Sequence, residues 1–253
     1  MIPVVIIAAA FGAIVGSFLN VCIHRLPRGK SIVWPASACP ACGRELSWFE
    51  NVPLVSYTLL GGRCRSCRAP ISIRYPVVEL VTAVLFATCA WAYGPSLLFV
   101  SRVTFGSALI VLFAIDLEHH LLPNVITLPG IVVGFVFSVF LPPGWVDSLI
   151  GLAVGGGGLF LIAEGYYRLR HEEGLGMGDV KMLAMIGAFL GWKLTLVTLM
   201  MASLAGSIIG VLLIVSRRGD MKYALPFGTF LALGAVVAGT VGPRLIDWYL
   251  RFW

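Results

Sequence analysis

The sequence predicts an all-α polytopic membrane protein with about eight transmembrane helices and a small cytosolic zinc-binding loop domain. Three observations carry that expectation. Of 253 residues, 59% are hydrophobic and only 12% charged, and the mean hydropathy is +0.96; soluble domains carry about 25% charged residues. Apolar runs near the roughly 20 residues that cross a bilayer recur along the chain. The longest polar block is 24–75.

The first apolar run, 2–22, has no basic segment ahead of it, and Leu19-Asn20-Val21-Cys22 makes a poor processing site. It therefore reads as a retained span and not as a removed signal peptide. After the polar block come runs at 76–94, 97–115, 124–141, 146–167, 180–192, 195–215 and 225–243. The run at 180–192 is short, and Gly191-Trp192-Lys193 is a tight turn or a kink, so seven spans is the alternative. Three regions follow: a first helix over 1–23, a loop domain over 24–75 and a membrane catalytic domain over 76–253.

Lys and Arg set the orientation, because they are retained on the cytosolic side. Arg25, Arg28, Lys30, Arg44, Arg63, Arg65, Arg68 and Arg74 lie in the polar block, and Arg168, Arg170, Arg217, Arg218 and Lys222 fall in later loops on the same side. The loops at Gly94-Pro95 and Pro142-Pro143-Gly144 hold none. The amino terminus is expected outside and the long loop in the cytosol. This sorting accounts for the net charge of +6 without a nucleic-acid partner.

The polar block carries Cys39-Pro40-Ala41-Cys42-Gly43 and Cys64-Arg65-Ser66-Cys67, two Cys-x-x-Cys pairs separated by 21 residues. That spacing suits a tetrahedral zinc site. A cytosolic loop is kept reduced, which disfavours two disulfides. Cys39, Cys42, Cys64 and Cys67 leave no open position, so the metal is expected to be structural and to drive the loop's folding. Arg44, Arg63, Arg65 and Arg68 are placed to offset the thiolates. Cys22 and Cys89, inside apolar runs, read as packing residues.

Two aspartates stand at the edges of apolar runs: Asp116 after 108–115, and Asp179 in Gly176-Met177-Gly178-Asp179. Ionisable groups at a membrane boundary are costly and default to function. Under the expected threading both lie at the cytosolic edge, where two carboxyls sharing a proton would form an aspartic-protease dyad. The plainer readings are a helix-ending residue facing headgroup water for Asp116 and an N-cap for Asp179.

Glu118, Glu172 and Glu173 are solvated loop residues or a docking patch for a basic peptide. His119 and His120 read as loop residues, because adjacent side chains on a helix point apart. Glu79 and Glu164 are expected to pair with loop arginines. Gly155-Gly156-Gly157-Gly158 lies inside an apolar run with no preceding strand, so close helix packing suits it better than nucleotide binding.

Several of these segments, in order, resemble the bacterial type IV prepilin peptidases. The resemblance rests on Gly16-Ser17-Phe18-Leu19-Asn20-Val21, Arg25-Leu26-Pro27, both cysteine pairs around Asn51-Val52-Pro53-Leu54, and Arg74-Tyr75-Pro76-Val77-Val78-Glu79. It continues through Asp116 with Leu122-Pro123-Asn124, Gly176-Met177-Gly178-Asp179-Val180-Lys181 and Pro226-Phe227-Gly228. It implies a membrane aspartyl endopeptidase of the Gly-x-Gly-Asp kind, which removes the basic leader of prepilins or pseudopilins at the cytosolic face of the bacterial inner membrane. Asp179 matches the motif aspartate and Asp116 its partner. Many relatives carry Asp where this chain has Asn124, and an amide cannot transfer a proton. The resemblance also implies N-methylation of the new amino terminus from S-adenosylmethionine, with the cysteine loop and zinc associated with that step; no residues for the methyl donor are legible. A peptidase without methyltransferase activity is the alternative. A transporter would be expected to show inverted repeats, and a zinc-ribbon adaptor would leave the aspartates unexplained.

Overall fold

The computed structural model describes residues 1–171, 176–216 and 225–251. Glu172, Glu173, Arg217, Arg218 and Lys222 lie outside them. The described residues are helical apart from loops and two isolated β-bridges, and they divide into two compact units, Met1–Val111 and Leu112–Trp253.

The first unit is built on α1 (Ile2–Arg25) and the longer cysteine-bearing loop, which contains the five-residue α2 (Val55–Leu59). After it come α3 (Arg74–Tyr93) and the first part of α4 (Leu97–His119). Helices α1 and α3 lie side by side because α1 offers glycine where they touch. A Cβ at Gly16 would stand 2.7 Å from the Glu79 Cα, and one at Gly12 2.7 Å from the Phe86 Cβ. Small residues let helix backbones approach in lipid, where dispersion replaces the hydrophobic effect as the driving force. Ala8, Phe86, Cys89, Ala90 and Val103 form the apolar cluster, so Cys89 is a packing residue, as expected.

The second unit is organised around α8 (Met177–Val215), whose first half is buried almost without interruption. Packed on it are α5 (Asn124–Phe140), α6 (Trp145–Leu152), a π-helical turn at Ala153–Gly158 and α9 (Phe227–Thr240). The turn leads into α7 (Leu159–Arg170), and α10 (Gly242–Leu250) follows α9. The four glycines make the π turn, and two of them serve packing: a Cβ at Gly155 would meet the Leu183 carbonyl oxygen at 2.7 Å, and one at Gly156 the Ala184 Cβ at 2.9 Å. Gly157 and Gly158 face open space.

Among the described residues, five helices are long and apolar enough to cross a membrane, or six if α9 and α10, bent by 64°, make one span. Helix α5, at 17 residues, is shorter. The 39 residues of α8 would extend about 58 Å as one helix, against a hydrocarbon core of about 30 Å, and the helix breaks at Gly191 (φ 76°, ψ 169°). Its two halves are the runs expected at 180–192 and 195–215. Pro143 packs over Gly191, and Asp147 accepts a hydrogen bond from Trp192 Nε1 at 3.2 Å.

Candidate active site and metal centre

Asp116 lies in the last turn of α4 and is only 4% exposed. Its Oδ2 accepts two hydrogen bonds from one residue of α9, from the Thr229 N–H at 2.7 Å and the Thr229 hydroxyl at 3.0 Å. Asp179 is half-buried and sits in the first turn of α8. The helix begins at Met177 with Gly176 as its N-cap residue, so Asp179 is not an N-cap, and its N–H donates to the Gly176 carbonyl at 3.1 Å. The two carboxyls lie within electrostatic reach of each other.

Leu122 explains how the segments that carry them come together. Its side chain is wedged between two glycines: a Cβ at Gly178 would come within 2.9 Å of the Leu122 Cβ, and one at Gly228 within 2.9 Å of the Leu122 Cδ1. The same Gly228 Cβ would lie 3.0 Å from Asp116 Oδ2. The Leu-Pro, Gly-x-Gly-Asp and Pro-Phe-Gly segments therefore converge on one corner, and two of them need glycine to do so. Asn124 lies at its rim, where Oδ1 accepts a hydrogen bond from Lys181 Nζ at 2.9 Å. The residue after Leu-Pro thus ties the start of α5 to the amino-terminal part of α8.

The first unit contains the second centre. The ligand atoms of Cys39, Cys42, Cys64 and Cys67 all lie within 4.8 Å of one another, and all four thiols are free. The sulfurs of Cys39 and Cys67 are 3.8 Å apart, matching the edge of a tetrahedron with metal–sulfur bonds of about 2.3 Å. Two equivalent turns present them. Gly43 N–H donates to Cys39 O and Cys39 N–H to Arg44 O, while Arg68 N–H donates to Cys64 O and Cys64 N–H to Ala69 O. Each turn has a left-handed residue after its second cysteine, Gly43 (φ 70°) and Arg68 (φ 60°). Hydrogen bonds from the Cys67 and Ser66 N–H groups lower the Cys64 thiol to about 6. Against the hydrogen bond from Ala69, burial and the neighbouring sulfurs push Cys67 up to about 11, and metal binding would release its proton.

Arg44 is engaged with Glu50 (Nη2 to Oε1, 2.5 Å) and lies within electrostatic reach of Cys64 and Cys42. Arg65 stacks over Phe49 at 5.4 Å. Glu164 pairs with Arg168 on its own helix at 2.7 Å. Among the described residues no arginine forms an ion pair with Glu79; its Oε2 accepts the Leu54 N–H at 2.8 Å. Sequence reading passed over Thr229 and quoted Leu122 only within its Leu-Pro segment; neither carries a chemical signature until the fold sets them against Asp116 and the two glycines.

Residues 10–93 match the bacterial peptidase A24 N-terminal domain, and residues 103–211 match the type IV leader peptidase family. The prepilin leader peptidase/N-methyltransferase of Pseudomonas aeruginosa is 37% identical, over 95% of this chain and 91% of that protein. The chain belongs to the type IV leader peptidase family. Proteins of the same name from Aeromonas hydrophila (36% identical, 95% of this chain and 91% of that protein) and Myxococcus xanthus (42%, 81% and 62%) are also similar. No solved structure matches. All four clustered cysteines fall within the N-terminal-domain match, and both aspartates within the family match. Thr229 lies beyond that match.

Proposed function

We propose that this chain is a prepilin leader peptidase/N-methyltransferase in which Asp116 and Asp179 are the catalytic pair. Its substrates are prepilins or pseudopilins, whose apolar helix lies in the bilayer of the bacterial inner membrane with the basic leader in the cytosol. The Lys and Arg distribution supports an outside amino terminus and a cytosolic loop. The observation that carries the reading is the convergence of Leu122, Gly178 and Gly228 beside two carboxyls within electrostatic reach.

In cleavage, one ionised carboxylate takes a proton from water, and the other, protonated, donates to the scissile carbonyl oxygen. Thr229 holds Asp116 by Oδ2, which leaves Oδ1 to face water or substrate. The products are the leader's carboxylate and a new amine, without a covalent intermediate. Methyl transfer then breaks the sulfur–methyl bond of S-adenosylmethionine and forms a nitrogen–methyl bond, while the amine loses a proton and the sulfur becomes a neutral thioether.

The metal of the four cysteines is zinc. Four thiolates close the coordination shell, so its part is to fold the loop. The test is mass spectrometry of a prepilin incubated with the purified protein, with and without S-adenosylmethionine. Leader loss plus one methyl mass is expected, with cleavage abolished in Asp116→Asn and Asp179→Asn. Substantial cleavage by either variant would remove that aspartate from the mechanism, and cleavage without the methyl mass would leave a peptidase alone.

A further inference from the structure

The loop of the first unit begins by folding back onto the helix that carries it. Helix α1 has 24 residues, about 36 Å of α-helix against a hydrocarbon core of about 30 Å, so its last turn emerges among the lipid headgroups. Asn20 Nδ2 donates to the Tyr75 carbonyl at 3.0 Å, which joins the end of α1 to the start of α3. Both ends of the loop therefore leave from one face of the bilayer. Gly29, at φ 63°, turns the chain, and the Lys30 N–H donates to the Arg25 carbonyl at 3.1 Å. The Arg25 guanidinium, in the last turn of α1, then holds the following segment by two carbonyls, Ser31 at 3.0 Å and Ala36 at 3.3 Å.

Between those two holds the chain makes a short turn, with the Val33 and Trp34 N–H groups donating to the Ser31 hydroxyl oxygen at 3.2 and 3.3 Å. The turn displays apolar side chains and does not bury them: Val33 is 84% exposed and Trp34 74%. Around it are cations without anions. Arg25, Arg28 and Lys30 precede it, the first acidic residue of the chain is Glu45, and none of the three cations forms an ion pair among the described residues. Arg28 is fixed at the same level, because its Nη1 donates to the His24 carbonyl. An exposed tryptophan among cations, pinned to the end of a membrane-length helix, has the composition of a membrane–water interface. Indole rings gather at headgroup level, and basic residues beside a span are drawn to anionic lipid. The same three charges would repel a basic peptide leader.

We propose that Val33 and Trp34 insert among the headgroups of anionic phospholipid in the bilayer that α1 enters, with Arg28 and Lys30 against the phosphates. The proposal depends on α1 spanning the membrane and not on the peptidase or methyl-transfer readings. Hydrogen bonds from Arg25 and to Ser31 define the tip before it meets lipid, so little order has to be imposed on insertion. The contact fixes the amino-terminal end of the loop, ahead of Cys39, against the membrane face.

The test reads tryptophan fluorescence of the full-length protein in nanodiscs of phosphatidylcholine alone and of an equal mixture with phosphatidylglycerol. Each is prepared with and without lipids brominated near the top of the acyl chain. The chain has 7 Trp, so the Trp34 contribution is the difference between wild type and Trp34→Phe. Bound metal and a melting temperature equal to wild type establish that each variant is folded. Bromolipid is expected to quench the Trp34 contribution by about half or more in the mixture, and at least about twofold more strongly there than in phosphatidylcholine alone. Lys30→Glu is expected to reduce the quenching in the mixture by about twofold or more. A Trp34 contribution quenched by aqueous acrylamide but not by bromolipid in the mixture would overturn the proposal and leave the tip to a protein partner. Equal bromolipid quenching in the two bilayers, or no effect of Lys30→Glu, would overturn the role assigned to anionic headgroups.

Discussion

Thr229 gives both its backbone N–H and its hydroxyl to a single oxygen of Asp116, and Thr229→Val separates the two contributions. The backbone bond remains, the shape is kept, and one hydrogen bond to a charged group, about 1.5–3 kcal/mol, is lost. We expect a fall in kcat of about 10- to 100-fold with KM little changed, measured on a prepilin substrate; an unaltered kcat would mean that the N–H suffices. Glu50 poses a different residue-scale question. The Ser47 N–H, then Arg44, hold its carboxyl below the usual range. A depressed folded pKa stabilises the loop above the unfolded value near 4.3 and is lost as pH falls through the folded one. Glu50→Gln should therefore lower the melting temperature at neutral pH and show a smaller decrease than wild type on acidification below about pH 4.3. Parallel melting curves across that window would contradict it.

At the scale of elements, the glycine run of the π-helical turn divides into two kinds of position. Gly155 faces the Leu183 carbonyl of α8, whereas Gly157 faces open space. Gly155→Ala forces a carbon against backbone and is expected to destabilise by about 1–3 kcal/mol. Gly157→Ala should be neutral or stabilise by up to about 1 kcal/mol, because alanine suits a helix better than glycine. Thermal unfolding in detergent separates the two, and equal effects would mean that α8 does not constrain this turn. Glycine within an apolar run was readable as a packing signal, but which glycines pack was not, since that depends on the rotation of one helix against another.

Across the whole molecule, the metal centre belongs to the first unit and the aspartate pair to the second. Removing the metal with a chelator should abolish methylation before it reduces leader cleavage, read by mass spectrometry on one prepilin sample; simultaneous loss would show that the aspartate site also depends on the loop. The chain's composition determined its solvent, because 59% hydrophobic residues can be buried only by lipid and one another. The spacing of the cysteine pairs determined the metal site, because each pair closes a local turn. The motifs likewise nominated Asp116 and Asp179, since a carboxyl at an apolar boundary is costly wherever the chain goes. Only the tertiary structure decided what surrounds them. Thr229 lies 113 positions from Asp116 along the chain, Leu122 needs two distant glycines, and Asn20 donates to the Tyr75 carbonyl 55 positions away. Those partnerships depend on how helices pack, and no local pattern of residue types encodes which atoms a packed helix will face.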